Sequence, residues 1–310
     1  MNLIGIDLGG TRIKIGIVVD GRLLISSVIN ADPENGLHLH LPLIKECILQ
    51  LIRQTCTNDI HCIGMAFPGL VDTDKNQIIS SRGKYEDAPA LDLASWAFRE
   101  LGMTLQLEND ARLACLGEWK YGAGQENADM VMVTLGTGFG SAAIINGKLL
   151  RGKHFQAGIL GGHFIISFKD KDHLCSCGNY GCVEAVASTW MIKEAARQSP
   201  FFEKSGLKEA SRIDLETIFD MAKQGDELAR LLQNHCLEAW GIGLINLIHA
   251  YDPEVIVIGG GISNASETLI PYFNQMIAEK AWCPWGQPNI RRAQFPDTAA
   301  ILGAALLFEA

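Results

Sequence analysis

Apolar positions open the chain and set its rhythm. "LIGIDLGGTRIKIGIVVDGRLL", from Leu3 to Leu24, reads as an apolar strand, a glycine-rich turn, a second strand, the pair Asp20-Gly21 and a third strand. "MVMVTLGTGFGSAAIINGKLLR", residues 130–151, repeats the plan, with Gly136-Thr137-Gly138 at its first turn and Asn146-Gly147 at its second. Asp-Gly and Asn-Gly between apolar runs are two-residue hairpin signals. The copies begin roughly one domain length apart. The pattern therefore predicts two related domains, each opening with a β-meander.

Further along, "HLPLIKECILQLIRQTC" (40–56) places Leu41, Ile44, Ile48, Leu51 and Ile52 on one helical face. "IHCIGMAFPGLVD" is a buried strand ending at Pro68-Gly69, and 76–90 reads as a loop. "DLASWAFRELG" is a helix stopping at Gly102, "TLQLEND" a strand, and "ARLACLGEWKYGAG" a helix beginning just after Asp110. Residues 185–197, 214–223 and 226–249 read as helices. "EVIVIGGGISN" is a buried strand running into three glycines with a helix after it, and "TAAILGAALLFEA" is a final helix. Strand groups followed by crossover helices imply an α/β fold with mixed sheets.

Composition agrees. A chain of 310 residues suits two domains, and 48% hydrophobic with 20% charged residues supports a sizeable core. The formal net charge of −9 offers no basic footprint for nucleic acid. The start lacks the pattern of a signal peptide, and no apolar run reaches spanning length. The expectation is a soluble, cytoplasmic protein with no membrane or nucleic-acid partner. Nine cysteines in a reducing compartment should mostly be free thiols. Cys47, Cys56, Cys62, Cys115, Cys236 and Cys283 are scattered and read as small buried hydrophobes. "CSCGNYGC", residues 175–182, packs three cysteines into eight residues and needs another explanation.

The candidate chemistry begins at "DLGGT". Asp7 sits where a strand gives way to Gly9 and Gly10, whose N–H groups could approach an anion, and Thr11 adds a hydroxyl. A carboxylate beside a phosphate cradle commonly holds Mg²⁺, directly or through water; the plainer alternative is an Asp-Gly-Gly turn. The glycines lie between two strands, unlike a dinucleotide or Walker loop, where they lead into a helix. "LGTGFG" makes a second cradle, and "VIGGGIS", with Gly260 and Gly261, could admit a flat nucleotide base against bare backbone. In "LENDARLA", Asp110 is either a helix N-cap or a general base for a substrate hydroxyl, with Asn109 beside it to orient that substrate.

These residues carry a resemblance. "GIDLGGTRIKIGIV", "IGMAFPGLVD", "ENDARLACLGE", "LGTGFGSAAIINGKLLRG", "GGHFII", "CSCGNYGCVEAVAS" and "DPEVIVIGGGIS" stand in the order and spacing of the ROK family of sugar kinases and regulators. The resemblance implies two actin-like (ribonuclease H-like) domains with mixed sheets flanked by helices and a cleft between them. They would comprise residues 1–118 plus 297–310, and residues 119–296. It implies transfer of phosphate from Mg-ATP to the 6-hydroxyl of a hexose or hexose derivative, with Asp110 as base. It places Asp7, Gly9, Gly10, Thr11, Arg12, Gly136, Thr137, Gly138, Gly260 and Gly261 on the nucleotide, with Mg²⁺ at Asp7. Gly69, Asn109, Asp110, His163 and Glu184 would meet the sugar. His163, Cys175, Cys177 and Cys182 would bind one structural Zn²⁺, a normal closed tetrahedral set. A homodimer or homotetramer is implied as well.

Three departures stand out. Leu160 falls where family kinases commonly carry a Glu that contacts sugar hydroxyls. The loop "SSRGKYEDAP" has Arg82, Lys84 and Tyr85 where many have an Asn, and Arg12 replaces a more frequent Lys. The first two remodel the sugar pocket, where Gln156 or Tyr85 could restore a hydrogen bond. The family's repressors carry a helix-turn-helix ahead of the first hairpin, for which a strand starting at Leu3 leaves no room. A silent sugar binder is a further alternative, opposed by the retained Asp110. A zinc hydrolase would need an open coordination position.

Overall fold

The computed structural model describes residues 2–309 except 56, 58, 82 and 170–172. Cys56 and Arg82 thus lie outside the described residues. The chain divides into two compact units, Met1–Glu126 with Leu149–Ala157 and Asp297–Ala310, and Asn127–Lys148 with Gly158–Pro296.

In the first unit, β1 (Asn2–Leu8), β2 (Arg12–Val19) and β3 (Arg22–Asn30) form the expected meander. Asp20 and Gly21 close it with φ of 48° and 75°, the two left-handed residues a type I′ turn requires. Helix α1 (Leu41–Thr55) leads to β4 (Cys62–Phe67). A small hairpin follows, β5 (Leu70–Asp72) with β6 (Gln77–Ser80), then α2 (Leu93–Leu101), β7 (Thr104–Asn109) and α3 (Asp110–Tyr121). Gly102 ends α2 in the left-handed conformation at φ 69°. Strand β6 occupies part of the expected 76–90 loop; only Ile78 of its four residues is buried, which is little apolar pattern to read. The main sheet runs β3-β2-β1-β4-β7, with β1 parallel to β4 and β4 parallel to β7.

Strand alternation gives β1 two buried faces. Ile4, Ile6 and Leu8 join the core that includes Ile44, Cys47, Ile48 and Leu51 of α1. The opposite face carries Gly5, which pairs in register with Gly16 and Gly64 on either side. This flat row receives the C-terminal helix Ala299–Gly303; a Cβ on Gly5 would lie 2.7 Å from the Ile301 side chain. The helix is shorter than expected and tightens to a 3₁₀ turn, Ala304–Leu307. It packs so closely on α3 that a Cβ on Gly303 would collide with the Leu113 carbonyl.

Residues 149–157 belong with this first unit because of a buried arginine. Arg112 is wholly buried and donates to the carbonyls of Arg151, Phe155 and Ala157 at 3.2, 3.0 and 2.9 Å. Glu108, equally buried, balances it and accepts from Arg151 Nε at 2.8 Å.

In the second unit, β8 (Met130–Leu135) and β9 (Phe139–Ile145), with β10 (Lys148–Leu149) running across the boundary at Lys148, repeat the meander, closed by Asn146 and Gly147 at φ 51° and 69°. Then come α4 (Val183–Val186), α5 (Thr189–Gln198), α6 (Leu215–Lys223) and α7 (Glu227–Tyr251). Strand β11 (Val255–Gly259), α8 (Ser266–Lys280) and β12 (Asn289–Arg292) complete it. The order β10-β9-β8-β11-β12 reproduces the first sheet. The helix expected over 185–197 is broken at Ala187-Ser188. Trp240 Nε1 and His235 Nε2, both on α7, take the carbonyls of Ala187 and Val186 at 2.9 and 3.0 Å, so tertiary bonds replace helical ones. Strand β12, "NIRR", is too short and charged to signal itself by alternation.

Candidate active site

Parallel register assembles the site in the first unit. Asp7 on β1 lies beside Ala66 on β4, and Ala66 beside Glu108 on β7. The carboxyl ends of three neighbouring strands therefore deliver Asp7, the Pro68-Gly69 turn and Asn109-Asp110 to one sheet edge, the usual ligand side of α/β sheets. Asn109, not Asp110, is the N-cap of α3: its Oδ1 accepts from the Arg112 N–H at 3.2 Å. Its Nδ2 donates to the Gly69 carbonyl and to Asp110 Oδ1, each at 3.0 Å. Asp110 Oδ1 also accepts from the Ala111 N–H at 2.8 Å. Freed from capping, Asp110 is a carboxylate oriented through one oxygen by its neighbours.

Charge accumulates there. Burial and the Asp110 carboxylate push Asp7 up to about 6 against the pull of Lys14 and Lys84, with Asp297 adding to the rise. Burial also raises Asp110, opposed by the Ala111 N–H and Lys84. Ionised Asp7 thus weakens the ligand-free fold. The penalty is absent below pH 3.8, grows as pH rises toward about 6, and is complete above it. Asp7→Asn should therefore stabilise the ligand-free protein at pH 7 by on the order of 2 kcal/mol after discount for partial exposure, and raise its melting temperature accordingly. The gain should vanish near pH 4. Thermal unfolding at both pH values checks this; equal melting temperatures at pH 7 would contradict it.

The first glycine turn is closed by the Gly9 N–H donating to the Arg12 carbonyl at 2.9 Å, while the Thr11 and Arg12 side chains are exposed. Tyr85 supports the turn from below. It is fully buried and donates its hydroxyl to the Gly9 carbonyl at 2.8 Å, so it cannot restore a hydrogen bond to a sugar as its sequence position suggested.

In the second unit the Gly136 N–H donates to the Gly138 carbonyl at 3.1 Å. Thr134 pairs with Gly259 in parallel register, which brings Gly136–Gly138 and Gly260-Gly261 to a common edge; a Cβ on Gly136 would lie 3.9 Å from the Gly261 nitrogen. Gly260, at φ 81°, lies so close to Leu135 that a Cβ there would strike its backbone. Glu184 rests on this loop: its carboxylate accepts from the Phe139 N–H at 3.4 Å and the Ser176 hydroxyl at 3.3 Å, and fills the space a Gly138 side chain would need. The Leu160 side chain is exposed, on a loop tied to β9 by Ser141, which donates to the Gly158 carbonyl at 2.6 Å and accepts from the Gly161 N–H at 3.0 Å.

His163, Cys175, Cys177 and Cys182 place their ligand atoms within 4.8 Å of one another. His163 Nδ1 lies 3.4 Å from Cys175 Sγ, and Cys177 Sγ lies 3.6 Å from Cys182 Sγ. Donors at ~2.0–2.3 Å from a tetrahedral zinc would be spaced ~3.5–3.8 Å, so these two pairs are close to the spacing of a zinc site, and the four residues together could hold one ion. Burial and the neighbouring thiols push Cys182 up to about 12 and raise Cys175. Burial opposes ionisation of Cys177 too, yet the Asn179 N–H and the flanking thiols hold it below the ordinary value. Nδ1 faces the sulfurs, so Nε2 is the nitrogen of His163 left for another ligand. Cys182 also caps α4, which carries Glu184, and the Val183 N–H donates to the Phe164 carbonyl next to His163 at 3.0 Å. The cluster thus ties His163 and Glu184 together.

Each unit therefore gathers its own share of the expected residues. Sequence reasoning missed Lys14 and Asp297 beside Asp7 and the Glu108–Arg112–Arg151 network behind Asp110. Lys14 had a faint signal, as the residue facing Asp7 across the first hairpin.

The ROK family model matches residues 3–310, and the chain belongs to that family. A glucokinase of Thermotoga maritima is 31% identical over 100% of this chain and 98% of its own. A xylose repressor of Caldicellulosiruptor bescii is 27% identical, covering 97% of this chain and 76% of the repressor. The ROK glucokinase of Streptomyces griseus, solved in complex with glucose and AMPPNP, superposes with a TM-score of 0.84 at 28% identity, over 99% of both chains. The two units are thus the α/β domains of the actin-like ATPase fold. No described helix is long and apolar enough to cross a membrane.

Proposed function

We propose that the protein transfers the γ-phosphoryl group of ATP to a sugar hydroxyl, the 6-hydroxyl of a hexose or hexose derivative. The observation that carries this reading is Asp110 beside Asp7, oriented through Oδ1 by Asn109 and Ala111 and relieved of capping duty. Asp110 accepts the hydroxyl proton as the sugar oxygen bonds the γ-phosphorus. The bond from phosphorus to the β,γ-bridging oxygen breaks and ADP leaves. Such a reaction needs mainly positioning, charge neutralisation and a base.

Asp7 would hold Mg²⁺, which supplies positive charge to the phosphates when bound. The N–H groups of Gly9 and Gly136 close their own turns, so Gly10, Thr11, Thr137 and Gly138 are the backbone donors left for phosphate oxygens. Arg12 adds a cation, and Gly260 and Gly261 leave bare backbone for the base. Asn109 acts on the sugar chiefly through Asp110 and Gly69, since both of its amide hydrogens are committed. His163, through Nε2, and Glu184 face sugar hydroxyls, and His163, Cys175, Cys177 and Cys182 would hold a structural Zn²⁺.

The reading is tested by ADP release across hexoses, N-acetylhexosamines and glycosides with Mg-ATP. Glucose is expected not to lead on kcat/KM, although relatives are glucokinases. Leu160 offers no acceptor where the resemblance implies a Glu, and an unpaired buried hydroxyl discriminates strongly against a substrate. If glucose leads, Leu160 does not determine specificity. If no sugar stimulates ADP release, the kinase reading fails.

A further inference from the structure

Lys84 is the second feature the departures singled out, and the fold gives it an unusual setting. Its neighbours hold it by the backbone: Gly83 and Tyr85 are left-handed on either side, at φ 67° and 52°. For a bulky residue such as Tyr85 this conformation is a strained one that persists only when its surroundings impose it, and such strain clusters at functional sites. Those surroundings are explicit. The Tyr85 N–H donates to the Pro33 carbonyl at 2.9 Å, its carbonyl accepts from the Ser81 hydroxyl at 3.2 Å, and its hydroxyl is bound to Gly9. Lys84 is thereby fixed to the first phosphate loop by its own neighbour.

The side chain follows the same direction. A Cβ built on Gly10 would lie 2.9 Å from Lys84 Cε and 3.3 Å from Nζ, so the ammonium end lies on the glycine loop. Two lysines act on the Asp7 carboxylate, and they differ in what they have left to give. Lys14 is engaged by Asp297, donating to its carboxylate at 3.0 Å and its carbonyl at 2.8 Å. No hydrogen bond or ion pair joins the Lys84 ammonium to another described residue. A half-buried cation with all three donors uncommitted, beside two carboxylates and a loop of bare backbone, is arranged for an incoming anion.

We propose that the Lys84 ammonium binds the phosphoryl group that is transferred, donating to its oxygens as charge shifts toward the leaving group; this rests on the kinase reading above. Asp7 and Asp110 would repel a phosphoryl group approaching them, and Lys84 offsets that repulsion at the reacting end. Its ammonium lies on the Gly10 loop, and its charge acts on Asp110 as well as Asp7, so it serves the base and the phosphate loop together. A preorganised donor of this kind is worth about 10²–10³ in kcat where one has been removed.

The test compares Lys84→Met and Lys84→Arg with the wild type, after thermal unfolding has established that each variant folds. Calorimetry of AMPPNP and ADP is the first readout and does not depend on which sugar is used. Lys84→Met should weaken AMPPNP by about 10-fold and leave ADP within about twofold, since the lost charge-assisted bonds reach only the terminal phosphate. Turnover with the best acceptor should fall about 10²-fold in kcat with little change in the sugar KM. Lys84→Arg should retain part of both. Equal losses for AMPPNP and ADP, or a kcat within about twofold of wild type, would overturn the inference while leaving the kinase reading intact. A fall in sugar affinity alone would make Lys84 a sugar ligand and also overturn it. Wild-type protein that binds neither nucleotide overturns both.

Discussion

Asp110→Asn is expected to lower kcat by about 10²-fold or more, the usual scale for loss of a general base. The substitution separates chemistry from architecture. An Asn oxygen can still accept from the Ala111 N–H and from Asn109 Nδ2, so the first turn of α3 keeps its bonds. The N-cap belongs to Asn109 and is untouched. Removing a buried carboxylate whose ionisation the site opposes should not lower stability. Melting temperature and affinity for nucleotide should therefore survive while turnover collapses. The intact enzyme should lose activity on acidification above the ordinary carboxylate range, because burial raises Asp110 and the base must be ionised to act. Near-normal turnover in the variant would remove Asp110 from the mechanism.

Cys177→Ser is expected to abolish stoichiometric zinc and to destabilise the fold by on the order of several kcal/mol, lowering the melting temperature, as loss of a structural zinc site does. Wild-type protein purified without chelator should carry one Zn²⁺ per chain. The four donors come from two separated stretches, His163 and residues 175–182, and span the link between the 3₁₀ turn Gly161–His163 and α4. Loss of the ion should therefore loosen His163 and Glu184 together, raising the sugar KM before the fold is lost. Cys283→Ser is the control: that thiol is half-buried and outside the cluster, so neither metal content nor melting temperature should change. Metal analysis without zinc in the wild type, or a Cys177→Ser protein as stable as the parent, would contradict this account.

Much of the framework was legible because it rests on local chemistry. The Asp20-Gly21 and Asn146-Gly147 turns specify both meanders by backbone conformation alone, and the glycine turns between strands separate this fold from dinucleotide-binding ones. Convergence of Asp7, Gly69, Asn109 and Asp110 was readable only through resemblance, since it depends on the parallel register of β1, β4 and β7. What could not be read was set by distant contacts. The break between α4 and α5 is imposed by Trp240 and His235, roughly fifty residues away. The N-cap was ambiguous between neighbours, and Asn109 won it because its amide also reaches Gly69. Tyr85 looked available to a ligand because nothing in its sequence context discloses the left-handed turn that buries it.

The central claim is that phosphate moves from ATP to a sugar on this protein, and transfer of label is the most direct measurement of it. The protein is incubated with Mg²⁺, ATP labelled in its γ-phosphate and the best acceptor from the sugar panel, and products are separated. The account predicts label in a sugar monophosphate, dependent on the sugar and lost in Asp110→Asn. Sugar binding without transfer, or label released only as inorganic phosphate, would contradict it and leave a sugar-binding or regulatory member of the family.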